Sequence, residues 1–142
     1  SNFAISAVLM MRFAEIAAPH FNNVEIIEYH HNSKIDAPSG TALTTAERIS
    51  ASSSEWDKSS TSNRILEGAR GGMTEDGISI HSVRMEGMVA HQDVIFGTEG
   101  QTLTIRQDSY DRSSFMPGVL LAVKKVGDFP GVTLGLEALL NL

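Results

Sequence analysis

The sequence contains no cysteine among its 142 residues. Disulfide cross-links, thiolate catalysis and zinc–thiolate sites are therefore excluded, and cysteine usage says nothing about the redox compartment. Aromatic residues are few and there is a single tryptophan, whereas 42% hydrophobic and 20% charged residues are ordinary for a globular protein. A chain of this length can bury its own core, so we expect one domain over residues 1–142.

Nucleotide-binding motifs are absent as well. The glycines of residues 65–72 do not form the strand, G-x-G-x-x-G turn and helix of a dinucleotide fold, and there is no G-x-x-x-x-G-K-[ST] loop. No apolar run reaches the ~18 residues of a membrane span, and the N-terminus lacks the basic start of a secretory signal. A formal charge of −6 disfavours nucleic acid and anionic membranes as partners. We expect a cytoplasmic protein whose anionic ligand, if it has one, needs a local positive site.

The hydrophobic pattern predicts an α+β fold with a mixed sheet of about four strands. Residues 4–18 are apolar at nearly every position, which predicts a mostly buried helix that ends at Pro19. Alternating or continuous apolar runs predict strands at residues 24–29, 78–85, 89–96 and 101–106, with a hairpin turn at 97–100. The sheet is expected to be mixed because the first strand is followed by a helix.

Two further helices are predicted, and the helices are expected to cover one face of the sheet. The first has an apolar stripe at Ala42, Leu43, Ala46 and Ile49. The second follows Ser113 and Ser114 and ends near Gly127, and its predicted apolar face is Phe115, Val119, Leu120, Val123 and Val126. Trp56 lies in a Ser/Thr-rich loop that we expect it to anchor to the surface.

The densest group of reactive side chains follows the first predicted strand, where residues 28–42 read E-Y-H-H-N-S-K-I-D-A-P-S-G-T-A. His30 and His31 can exchange protons near neutral pH, and Lys34 supplies positive charge. The turn at residues 39–41 opens a helix whose first amides lack internal partners. Such a group suits a small carboxylate substrate that must gain a proton. Neighbouring strand residues face opposite sides, so the two histidines are not expected to share a metal.

This stretch closely resembles the signature E-[L]-H-H-x-x-K-x-D-A-P-S-G-T-A of the 4-hydroxy-tetrahydrodipicolinate (dihydrodipicolinate) reductases of bacterial lysine and diaminopimelate biosynthesis. Its one visible departure is Tyr29, where leucine is usual. The similarity continues in residues 2–5, 83–96 and 112–119 and so covers essentially the whole chain. It implies the C-terminal substrate-binding and oligomerisation domain of an NAD(P)H-dependent reductase, with the N-terminal Rossmann-type nucleotide-binding domain absent from this chain.

The resemblance implies the reduction of a cyclic dicarboxylate imine to tetrahydrodipicolinate, in which hydride reaches one ring carbon and the neighbouring carbon is protonated. His30 is the expected proton donor, and Lys34 acts as an acid or as electrostatic support. The residues expected to hold the substrate carboxylates are His31, Lys34, Ser39, Gly40 and Thr41.

The cofactor is expected to be NADPH or NADH, bound mainly by the absent domain, so the chain alone is expected to be inactive. In the resembling family an Asn-Phe segment lies beside the nicotinamide. That likeness predicts cofactor contacts for Ser1, Asn2 and Phe3. The residues that choose between NADH and NADPH lie outside this sequence.

A second copy of the chain is the other expected partner. Val89, Ile95, Phe96 and the methionines at 73, 85 and 88 supply more apolar surface than one small sheet needs. We therefore expect the uncovered sheet face to pack against another copy, and the resemblance implies a homotetramer joined through these sheets.

Two alternative functions remain open from the residues alone. One is the substrate domain of another two-domain NAD(P)-dependent dehydrogenase, and the other is a non-catalytic module that binds a dicarboxylate or serves assembly. His81 and His91 lie in predicted strands and are expected to be packing or surface residues.

Overall fold

The computed structural model describes residues 2–53, 55–57 and 61–142, and Ser1 lies outside the described residues. The helices are α1 (Ile5–Ala17), α2 (Gly40–Ser52), α3 (Met116–Lys125) and α4 (Glu137–Leu140), with single 3₁₀ turns at Ala18–His20, Arg112–Phe115 and Val126–Asp128. The strands are β1 (Asn23–His30), β2 (Gly72–Met73), β3 (Ser79–Arg84), β4 (Ala90–Thr98) and β5 (Gln101–Ser109).

The strands form one mixed sheet in the order β2-β3-β1-β4-β5. β1 and β3 are parallel because α2 lies between them in the chain, and the other pairs are antiparallel. The predicted α+β class is confirmed, but the prediction of about four strands missed β2. That edge strand has only two residues, which is too short to show a period of two.

The core lies between one face of the sheet and the first two helices. On β1, Val24 and Ile26 are buried against α1 and α2, and Phe96 from β4 and Ile80 from β3 complete the layer. The α2 stripe is confirmed at Ala42, Ala46 and Ile49, but Leu43 is 41% exposed. Thr45 is buried instead, because its hydroxyl donates to the Thr41 carbonyl and accepts from Gln92.

The first helix is buried on two sides. Met10, Met11 and Ala14 belong to the main core, whereas Val8 packs with Leu136 and Leu139 of the C-terminal segment. This arrangement explains why α1 is apolar at nearly every position. Among the described residues, no helix is both long and apolar enough to cross a bilayer.

The predicted apolar face of α3 is wrong. Leu120, Val123 and Val126 are more than half exposed, and Leu121 and Ala122 pack on the C-terminal cluster instead. At Gly118 the helix lies directly against the main chain of Phe3, so close that a Cβ atom there would be 2.0 Å from the Phe3 carbonyl oxygen. Only glycine allows this contact, so α3 fixes the segment that precedes α1.

The sheet face without helices carries mainly polar networks. Glu25 pairs there with His81 and Arg70, while Tyr29 and Arg106 both donate to Asp93. The expectation that Phe96 contributes apolar surface to this face is wrong, because its side chain points towards the helices and is fully buried. Use of this face for oligomerisation stays a prediction.

Candidate functional site

The strand β1 delivers its last residue, His30, to the N-terminal end of α2. The connecting loop turns at once, with the Lys34 amide donating to the His31 carbonyl at 3.1 Å. Ser39 then caps α2, since its hydroxyl accepts from the Ala42 amide at 3.2 Å and its carbonyl accepts from the Leu43 amide at 3.1 Å. Because α2 is packed on the core, this turn has a rigid base.

A cavity of about 860 Å³ lies over this junction. Five of the residues predicted from the sequence line it together, namely His30, Lys34, Ser39, Gly40 and Thr41. Asn2 also lines it, and the C-terminal segment closes its far side. An imidazole, an ammonium group and the start of a helix therefore share one hollow, a combination that favours an anionic ligand.

Beneath His30 lies a buried ion pair to which the sequence reasoning assigned no role. Glu28 is 0% exposed, and Arg84 donates to both of its carboxylate oxygens, at 2.7 and 2.9 Å. The His30 Nδ1 atom lies 2.5 Å from Glu28 Oε2, and the Ser39 amide donates to Oε1 at 3.3 Å. A signal was present, because Glu28 takes the alternate position of Val24 and Ile26 on the buried face of the strand.

The protonation states of Glu28 and His30 follow from their contacts. Burial acts to raise the pKa of Glu28, but hydrogen bonds from Arg84, Ser82 and His30 outweigh it and place the pKa below its ordinary value. The ionised carboxylate can only accept, so His30 Nδ1 carries a hydrogen and Nε2 is the nitrogen that titrates. Burial lowers the pKa of His30, helped by the charges of Lys34 and Arg84 and opposed by Glu28.

Lys34 is already paired within its own loop. Its Nζ donates to Asp36 Oδ1 at 2.6 Å, and this hydrogen bond is the main reason that the pKa of the exposed Asp36 is lowered. Such an exposed pair contributes little to stability. A ligand carboxylate can therefore replace Asp36 at low cost.

His31 is not among the residues that line the cavity. Its side chain is exposed, and its Nδ1 atom lies 2.8 Å from the Ser33 hydroxyl.

The segment before α1 contacts the turn at residues 39–41. Asn2 Nδ2 donates to Thr41 Oγ1 at 3.1 Å, and Asn2 Oδ1 accepts from the Ala4 amide. Phe3 is 43% exposed and lines a neighbouring hollow of about 180 Å³ together with Asn2. No group of three or more histidine, aspartate or glutamate side chains is arranged for a metal ion in the described ranges.

By fold and site this is an α+β domain with a cationic, imidazole-bearing cavity at a helix N-terminus. The model for the family "Dihydrodipicolinate reductase, C-terminus" matches residues 6–140. The chain therefore belongs to the dihydrodipicolinate reductase family and corresponds to its C-terminal part.

Individual relatives agree with this membership. A 4-hydroxy-tetrahydrodipicolinate reductase of Corynebacterium urealyticum is 58% identical over 144 residues, which cover 99% of this chain and 58% of that protein. The reductase of the same name from Mycobacterium ulcerans is 58% identical over 145 residues, with the same coverage. The dipicolinate-bound dihydrodipicolinate reductase of Paenisporosarcina sp. TG-14 matches with a TM-score of 0.89 at 51% identity. That match covers 97% of this chain and 52% of that one, so the chain spans little more than half of its relatives' length.

Replacing Glu28 by glutamine is expected to lower the free energy of unfolding at pH 7 by about 3–5 kcal/mol, since Arg84, whose side chain is 17% exposed, loses its counter-charge. The lowered pKa means that the native state gains stability from Glu28 above the pKa of the unfolded chain. That gain disappears as the pH falls through the folded-state pKa, so wild type and variant should converge in acid. Urea unfolding at pH 7 and at pH values below the ordinary glutamate range measures both effects.

The control is Glu47→Gln on the exposed side of α2, which is expected to change stability by less than about 0.5 kcal/mol. A cost below about 1 kcal/mol for Glu28→Gln at pH 7 would show that the buried pair contributes no more than an exposed one.

Proposed function

We propose that this chain is the substrate-binding and oligomerisation domain of a cytoplasmic 4-hydroxy-tetrahydrodipicolinate reductase. The reaction is the NAD(P)H-dependent reduction of a cyclic dicarboxylate imine to tetrahydrodipicolinate, in lysine and diaminopimelate biosynthesis. The observation that carries the proposal is the shared cavity of His30, Lys34 and the turn at residues 39–41. Relatives that are 58% identical over 99% of this chain carry the name of this activity.

The start of α2 holds one substrate carboxylate. Ser39 uses the amides of Ala42 and Leu43, which leaves those of Gly40 and Thr41 without an intrahelical partner. A Cβ atom at Gly40 would meet nothing within 4 Å, so the space beside this amide is open to a ligand. Lys34, exchanging Asp36 for substrate, binds the same anion.

His30 supplies the proton. Its lowered pKa favours the neutral ring before substrate binds, but two substrate carboxylates nearby stabilise the imidazolium and raise that pKa. His30 therefore gains a proton as the substrate binds and delivers it from Nε2 to the ring carbon next to the one that accepts hydride. Lys34 stabilises the negative charge that develops on the ring.

Two further groups complete the proposed site. His31 turns from Ser33 towards the substrate and adds a second carboxylate contact. The proposed nicotinamide contacts are Ser1, Asn2 and Phe3, and the Asn2–Thr41 hydrogen bond joins Asn2 to the substrate turn. The nucleotide, NADPH or NADH, is held mainly by a separate nucleotide-binding domain of the reductase.

In the complete reductase, His30→Gln should lower kcat by about 10²–10⁴-fold with a much smaller change in KM, because it removes a general acid and few binding contacts. Lys34→Ala should lower kcat and raise KM together, since Lys34 both binds and stabilises charge. Steady-state kinetics with purified substrate measures both. If kcat of Lys34→Ala stays within about twofold of wild type, the role of Lys34 is wrong.

Binding can be separated from turnover with pyridine-2,6-dicarboxylate, a planar dicarboxylate analogue. Calorimetry on the purified chain should detect binding that is weakened by Lys34→Ala and by His31→Ala, because each removes a carboxylate partner. Glu47→Gln, on the exposed side of α2, is the matched control and should bind as wild type does. Oxidation of NADH by this chain alone would contradict the assignment of the nucleotide to a separate domain.

The sheet face without helices is the proposed contact between copies, giving a homotetramer. It carries the half-buried Ile95 and the exposed Met73 beside its ion-pair networks. Light scattering on the chain at tens of micromolar should show an oligomer, and Ile95→Arg should dissociate it by placing a charge inside the contact. A strict monomer for the unaltered chain would count heavily against this interface.

A further inference from the structure

The Glu28 carboxylate serves two parts of the site with its two separate oxygens. Oε2 lies 2.5 Å from His30 Nδ1, and Oε1 accepts from the Ser39 amide at 3.3 Å. His30 is the last residue of β1, whereas Ser39 is the cap of α2. The proposed proton donor and the proposed carboxylate-binding turn are therefore attached to opposite ends of a single planar group.

We propose that Glu28, locked by Arg84, is the positioning residue of this site and sets both the orientation of His30 and its distance from the substrate turn. This inference rests on the proposed function, because it gives Glu28 a task only if His30 delivers a proton. Glu28 itself is fully buried and does not line the cavity, so it acts through His30 and Ser39.

Arg84 holds the Glu28 carboxylate in one orientation. It lies opposite His30 in the parallel register of β1 and β3 and donates to both oxygens of Glu28. It also donates to the main-chain carbonyls of Val83 and Asp36, at 2.8 Å in each case. The loop that carries Lys34 is therefore held at Asp36 by this hydrogen bond, as well as at its connections to β1 and α2.

The charge balance explains why the arginine is required. A buried carboxylate without a partner takes up a proton, and a protonated Glu28 could donate to His30 Nδ1 and reverse the tautomer of the ring. Arg84 keeps Glu28 ionised, so Nδ1 keeps its hydrogen and Nε2 faces the reaction. The charged groups around the ring are Glu28 from β1, Arg84 from β3 and Lys34 from the loop; Arg48 and Glu137 pair with each other farther along the cavity.

The chain provides a matched control on the same strand. Glu25 pairs with His81 Nε2 at 2.7 Å and with Arg70, which repeats the glutamate–histidine–arginine composition on the opposite face of the sheet. None of these three residues lines the cavity over His30. Loss of Glu25 therefore disturbs a similar cluster without touching the proposed proton donor.

The test uses the complete reductase with Glu28→Gln, Glu28→Asp and Glu25→Gln. Glu28→Gln should lower kcat by about 10–100-fold while KM changes by less than about threefold, because the ring loses its orientation but the substrate keeps its contacts. As the pH rises, kcat of Glu28→Gln should begin to fall at a lower pH than kcat of wild type. The reason is that the Glu28 charge favours the imidazolium of His30, so its loss lowers the pKa of His30.

The conservative and control variants complete the expected pattern. Glu28→Asp keeps the charge, so its kcat should lie between those of wild type and Glu28→Gln, with the pH at which kcat falls close to that of wild type. Glu25→Gln should leave kcat within about threefold. Because Glu25 lies on the proposed contact face, light scattering must show that this variant keeps the oligomeric state of wild type. If Glu28→Gln does not fold, Glu28→Gln combined with Arg84→Met removes both charges of the pair and should again lower kcat. KM should rise in this double variant, because the loop that carries Lys34 loses its hydrogen bond to Arg84.

The two proposals fail in different ways. If His30→Gln abolishes turnover but Glu28→Gln keeps kcat within about twofold with an unmoved pH profile, the positioning role is wrong and the proposed function stands. If Glu25→Gln lowered kcat as much as Glu28→Gln does, the effect would reflect a general loss of stability, and the positioning role of Glu28 would also be wrong. If His30→Gln itself leaves turnover unchanged, the proposed proton donor fails.

Discussion

The structure depends on one buried ion pair at the end of the central strand. Glu28 and Arg84 are 56 residues apart in sequence, yet they meet because β1 and β3 run parallel in fixed register. The fully buried Glu28 carboxylate is costly to bury without a counter-charge, and Arg84 supplies that charge through hydrogen bonds to both of its oxygens. The pair therefore requires correct pairing of the two strands, and the candidate site is built on top of it.

The surroundings of this pair are rigid for hydrophobic reasons. α2 presents Ala42, Ala46 and Ile49 to the sheet, so the turn at its N-terminus cannot move without opening the core. α1 is enclosed between that core and the C-terminal segment. A polar site on a stiff apolar base keeps its geometry without reorganisation when charge develops, which is the condition for electrostatic stabilisation.

The two faces of the sheet have opposite chemistry. The helix-covered face is apolar except at the end where Glu28, His30 and Arg84 lie. The other face carries ion pairs such as Arg70–Glu25 and Arg106–Asp93 among its apolar residues. In such networks the charges pair with one another, and apolar surface remains between them. A mixed face of this kind fits the proposed contact with another copy, whereas a purely apolar face would be prone to aggregation.

The sequence by itself determined the α+β class, the positions of α1, α2 and the four longer strands, and the turn at residues 39–41 that opens α2. Each of these depends on contiguous residues, which carry a hydrophobic period or a helix start signal. It also pointed, through a fifteen-residue resemblance, to five residues that line the cavity, His30, Lys34, Ser39, Gly40 and Thr41. Only the tertiary structure decided which face of α3 is buried, that Phe96 points inwards, that His31 lies outside the cavity, and that Glu28 meets Arg84. These depend on strand register and helix docking between distant segments, and no local pattern contains that information.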